Sequence, residues 1–61
     1  MTNNEIAIAI AKQVHDKNIS SGFVVDLTIM DCIRKFNIQP LSIVGQEITK
    51  QVEKNLQELA R

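Results

Sequence analysis

Apolar residues recur at helical spacing in three segments of this 61-residue chain, and this pattern restricts the fold more than any other feature. In the third segment, apolar side chains recur every three or four positions, which places them on one face of an α-helix. Charged residues lie between them. The pattern predicts a long amphipathic helix at about residues 41–60, with an apolar stripe of Leu41, Val44, Ile48, Val52, Leu56 and Leu59.

Gly45 interrupts this predicted helix. A glycine inside a helix costs about 1 kcal/mol relative to alanine. We therefore expect either close helix packing at Gly45 or a helix that begins nearer Gln46.

The first segment opens with a helix-start signal. Thr2 and Glu5 have the spacing of a capping box, in which each side chain accepts a hydrogen bond from the other residue's amide. The apolar side chains that follow cover a broad arc of a helix at about residues 3–17. That arc contains Ile6, Ala7, Ile8, Ile10, Ala11, Val14 and His15.

The middle segment fits two structures. As a helix at about residues 24–37, it has a core stripe of Val25, Ile29, Cys32, Ile33 and Phe36 and a narrower stripe of Phe23, Leu27 and Met30. The alternative is a short extended segment at residues 23–27, because β-branched residues favour strands, with a helix capped by Thr28 after it. We favour the helix, since an isolated strand has no partner within this chain.

Two polar segments separate the predicted helices. Residues 18–22 contain asparagine, serine and glycine, and residues 37–40 end in Pro40, which disfavours helical geometry at the residue before it. The sequence therefore predicts an all-α fold, a single three-helix domain over residues 1–61.

The composition favours a dimer. The chain has one cysteine and one histidine, so it can form neither an internal disulfide nor a closed zinc site. A domain of this size is marginal without such support, and its apolar side chains exceed what three short helices can cover. We expect a homodimer, and the candidate interface for it or for another partner comprises Ile8, Phe23, Val24, Leu27 and Met30.

The reactive residue types form no catalytic pattern. Cys32 falls in an apolar stripe, where a free cysteine behaves as a small hydrophobe, and His15 has no evident nucleophile beside it. Asp26 and Asp31 are five residues apart and cannot share a helical face. The only two glycines are too distant for a phosphate-binding loop. We expect no enzymatic activity, no cofactor and no bound metal.

These exclusions leave a hypothesis of a non-enzymatic interaction module, a regulator, inhibitor or adaptor that binds a larger protein through exposed apolar helix surface. The first alternative is a dimeric DNA-binding regulator that contacts phosphates through Lys12, Lys17, Arg34 and Lys35, although a net charge of zero disfavours nucleic acid as a partner. The second alternative is a small subunit of a larger complex. With no secretory leader and no apolar run long enough to span a membrane, we expect the cytoplasm.

Overall fold

The computed structural model describes residues 1–19 and 21–60. It contains three helices, α1 (Asn3–Asp16), α2 (Gly22–Lys35) and α3 (Ile43–Leu59). The predicted all-α, three-helix fold is confirmed, and the predicted helix bounds differ from the observed ones by at most two residues. The extended alternative at residues 23–27 is not observed, because these residues form the first turns of α2.

α1 and α3 run in the same direction and form the main packing contact of the molecule. Asn3 shares a groove with Glu47, and near the other ends His15 shares one with Gln57. α2 crosses α1 instead of running beside it. Val25 shares a groove with Val14 of α1, and Cys32, roughly 10 Å further along α2, still contacts the neighbouring Gln13.

The core is entirely apolar and draws on all three helices. It confirms the predicted α2 core stripe, since Ile29 and Ile33 are fully buried and Cys32 nearly so. Val25, Phe36, Ile38 and Leu56 pack partly against this core. Its ten buried members are Ile6, Ala7, Ile10, Ala11, Val14, Ile29, Cys32, Ile33, Ile48 and Val52.

Three residues assigned to the apolar stripe of α3 are exposed instead. In α1, Ile8 and His15 lie at the edge of the broad apolar arc and are exposed, and only the centre of that arc faces the core. In α3 the neighbouring helices cover the middle, so Val44 and Leu59 near its ends remain exposed. Leu41 precedes the first helical residue and is not in the register of the helix.

The predicted capping box at the start of α1 is confirmed. The Glu5 amide donates to Thr2 Oγ1 at 3.2 Å, and the Thr2 amide donates to Glu5 Oε1 at 2.9 Å. The second of these hydrogen bonds, together with a smaller effect of the Thr2 side chain, lowers the pKa of Glu5 below its ordinary 4.5. The capping box thus provides partners for two of the amides that the start of a helix leaves without one.

Asparagines end α1 and α2. Asn18 and Asn37 have positive φ angles of 52° and 62°, a backbone conformation that asparagine tolerates better than most residues. After α2, the Asn37 amide donates to the Arg34 carbonyl and the Ile38 amide to the Ile33 carbonyl, which completes a Schellman motif. Both polar segments therefore separate the helices, as predicted, although Ser20 lies outside the described residues.

The close contact at Gly45 is made with the turn that precedes α3, and not with another helix as the sequence interpretation expected. α3 begins at Ile43, and Ser42 caps it by accepting a hydrogen bond from the Gly45 amide at 3.0 Å. The backbone of residues 39–40 passes so close that a Cβ on Gly45 would lie 2.6 Å from the Pro40 carbonyl oxygen. Glycine at this position lets the chain turn tightly into α3.

The N-terminus of α2 has fewer stabilising interactions than the N-termini of α1 and α3. Ser21 occupies the N-cap position without a side-chain hydrogen bond, and the first turn has no acidic residue. Thr28 does not cap a helix, because its hydroxyl donates to the Val24 carbonyl at 2.8 Å within α2. α2 also shares less contact with its neighbours than α1 and α3 share with each other.

Candidate interaction surface

Large apolar side chains project from α2 into solvent. Ile29 and Ile33 fix which side of α2 faces the core, and at 100° per residue Phe23 and Leu27 fall more than 100° around the helix from Ile29. Phe23 is 73% exposed, Leu27 50% and Val24 43%. We call Phe23, Val24, Leu27 and Met30 the apolar face of α2.

The apolar face of α2 continues towards α3. Met30 is half-buried and lines an open groove between α2 and α3. Leu41 and Pro40 line the same groove, and Leu41 is 78% exposed. Apolar surface thus extends from Phe23 along α2 to the segment that precedes α3.

Ile8, the fifth predicted interface residue, lies apart from the other four. It is 41% exposed and lines a groove with Ala11, Lys12 and Leu59. Every residue of that groove belongs to α1 or α3. The structure therefore brings together the four predicted residues of α2 and leaves Ile8 on a different surface.

The sequence interpretation missed exposed residues at the start of α3. Ile43 is 83% exposed and had no assigned role, and Leu41 was assigned to a buried stripe. Ser42 provided the missing signal, since serine is a preferred N-cap residue. A helix capped at Ser42 begins with Ile43 and leaves Leu41 before the helical register.

The structure keeps the cysteine and the histidine of the chain apart. Cys32 is buried, and its Sγ lies 3.6 Å from Gln13 Oε1 on the side of α1 that α2 crosses. His15 is exposed and lines a groove with Leu56 and Gln57 of α3. Among residues 1–19 and 21–60, no three His, Cys, Asp or Glu side chains come together as metal ligands would.

Among the described residues, the charged side chains near the apolar face of α2 are of both signs. Arg34 Nη1 lies 3.9 Å from Asp31 Oδ1, one turn away, and both side chains are mostly exposed. Two of the basic residues named for DNA contact lie in separate grooves. Lys12 lies between α1 and α3, and Arg34 lies beside Asn37 at the end of α2.

No protein-family model, curated protein or solved structure matches this chain. None of the described helices is both long and apolar enough to cross a membrane. Single exposed apolar residues are ordinary on a protein surface. The apolar face of α2 is instead a group of neighbouring apolar side chains, three of them at least 43% exposed.

Proposed function

We propose that this chain is a small, non-enzymatic interaction protein, a regulator, inhibitor or adaptor that binds another protein through the apolar face of α2. The 73% exposure of Phe23 beside Leu27 and Val24 is the observation that supports it. Exposed aromatic side chains commonly become the central anchors of protein interfaces.

The two alternatives draw less support from the described surface. A DNA-binding regulator needs its cations on one surface, whereas Lys12 and Arg34 lie in separate grooves and the chain has no net positive charge. A small subunit of a larger complex would use the same apolar face. It differs from a regulator in having a fixed stoichiometry with its partners.

The proposal is tested by comparing three tagged baits in an extract of the native host. The baits are the wild type, the double variant Phe23→Ser/Leu27→Ser and the control Ile43→Ser. Ile43 is the matched control because it is a large apolar residue, 83% exposed, and outside the apolar face of α2. Circular dichroism checks that all three baits retain their helices.

We expect a larger protein to be captured by the wild type and by the Ile43→Ser bait and lost with the double variant. Capture of only nucleic acid, or equal capture of the same protein by all three baits, would contradict the proposal. A captured set at fixed stoichiometry would favour the subunit alternative.

A further inference from the structure

Four side chains along the outer side of α2 are spaced symmetrically. Phe23, Leu27, Met30 and Arg34 follow one another at intervals of four, three and four residues. At 100° per residue they fall within roughly 60° of one another on the helix. The midpoint of the series lies between Thr28 and Ile29. A face with this symmetry can pair with an identical face turned end for end, as a twofold contact requires.

We propose that a second copy of this chain covers the apolar face of α2, with the two α2 helices antiparallel. The inference deepens the proposed function, since it names the chain that occupies the face when no other partner is bound. Leu27 then packs against Met30 of the partner subunit at the centre. Phe23 lies against Arg34 of the partner subunit at each end.

Charge favours the antiparallel direction. The last turn of α2 holds Arg34 and Lys35, and both acidic residues of the helix, Asp26 and Asp31, precede that turn. Antiparallel pairing places the guanidinium of Arg34 over the Phe23 ring of the other copy, a cation–π contact, and near its Asp26. It also sets opposite ends of the two helix dipoles side by side. Parallel pairing would instead place the basic last turns against each other.

Arg34 is free to make this contact. Its side chain is 60% exposed, and its single ion pair within residues 1–19 and 21–60 is the 3.9 Å approach to Asp31. An exposed pair of this kind contributes little to stability, so exchanging it for a contact with the other copy costs little.

The exposed area agrees with an additional contact of modest size. The chain exposes 4384 Å², about a tenth more than the roughly 4,000 Å² that scaling gives for a folded monomer of its mass. A contact between one 14-residue helix of each copy lies at the small end of stable interfaces. We therefore expect a dimer with a micromolar dissociation constant.

Sedimentation equilibrium tests the pairing. We expect the wild type to reach twice its 6.9 kDa mass at high micromolar concentration. Phe23→Ser/Leu27→Ser removes four anchors per dimer and should raise the dissociation constant at least about a hundredfold. Ile43→Ser should leave it within about threefold. A monomeric wild type, or a dimer that the double variant leaves intact, would overturn the inference.

Crosslinking tests the direction of the helices. Phe23→Cys and Arg34→Cys are prepared separately and treated with a short bis-maleimide, alone and mixed. In an antiparallel pair, identical cysteines lie roughly 16 Å apart along the helices, whereas cysteines 23 and 34 of different copies face each other. The mixed pair also keeps one native Phe23–Arg34 contact. The buried native Cys32 makes the wild type the blank.

We expect a crosslinked dimer only in the mixture. Efficient crosslinking of either variant alone, or none in the mixture, would overturn the antiparallel arrangement. These experiments can contradict the dimer without contradicting the proposed function, and the reverse. A monomeric wild type that still captures a larger protein through Phe23 and Leu27 would remove the second copy and retain the proposed function. A dimer of the expected kind that captures no other protein would remove the larger partner instead.

Discussion

Gly45 shows how one missing methyl group permits the turn between α2 and α3. An alanine there would place its Cβ 2.6 Å from the Pro40 carbonyl oxygen, and backbone cannot move aside as a flexible side chain can. The same substitution at Gly22 meets no atom within 4 Å. The two glycines therefore form a matched pair, because both lie in the first turn of a helix and only one is crowded.

We predict that Gly45→Ala destabilises the protein by about 1–3 kcal/mol, the usual range for overpacking. Gly22→Ala should instead stabilise it by about 0.4–1 kcal/mol, because alanine reduces the freedom of the unfolded chain. Urea unfolding measures both. Equal effects of the two substitutions would show that residues 39–40 do not crowd Gly45.

At the scale of the helix, α2 combines a buried side and an exposed side that are both apolar. Ile33 is fully buried, whereas Leu27, also a large aliphatic side chain on α2, is half exposed. Truncation of the two residues separates the contribution of α2 to the core from its contribution to an interface.

We predict that Ile33→Ala lowers the free energy of unfolding by roughly 2–5 kcal/mol, because it leaves a cavity in the core. Leu27→Ala should cost less than about 1 kcal/mol in the monomer, as expected for a surface substitution. Urea unfolding at a concentration below dimerisation measures both. A loss below about 1 kcal/mol for Ile33→Ala would contradict its place in the core.

The spacing of apolar residues sufficed to predict the helices and the buried side of α2. Spacing failed at the edges, because it shows that a side chain lies on an apolar arc and not how far the neighbouring helices extend over that arc. Val44 and Leu59 are therefore exposed. Leu41 was misassigned for another reason, since periodicity alone did not indicate that the helix starts after Ser42.

The candidate surface was predicted only in part. The second stripe of α2 indicated Phe23, Leu27 and Met30, which the structure places together on one side of the helix. Ile8 could not be separated from them, because the sequence does not specify that α2 crosses the opposite side of α1. The crossing depends on how Val25 and Cys32 pack, which is a property of the whole fold.

Across the whole molecule, the three helices are not equally stabilised by packing and by side-chain caps. α1 and α3 pack mainly against each other, and each begins with a side-chain cap at Thr2 or Ser42. α2 crosses this pair, and Ser21 makes no side-chain cap bond. Its exposed apolar side chains bury less area on folding of the monomer than the core side chains do.

We predict that amide hydrogens of α2 exchange faster than those in the middle of α1 and α3, because segments with fewer contacts open more readily. Hydrogen exchange measured by NMR at low protein concentration tests this. Raising the concentration should slow exchange in α2 selectively, if a second copy covers it. Equal protection in all three helices would contradict the prediction.

The rate at which Cys32 reacts with a thiol reagent reports such opening of α2. Its thiol is buried between α2 and α1, and no other cysteine exists in the chain. A thiol reagent can reach it only when α2 lifts away, so the rate of modification of the unaltered protein reports how often α2 leaves its place. Binding of any partner that keeps α2 packed against α1 would slow the modification of Cys32.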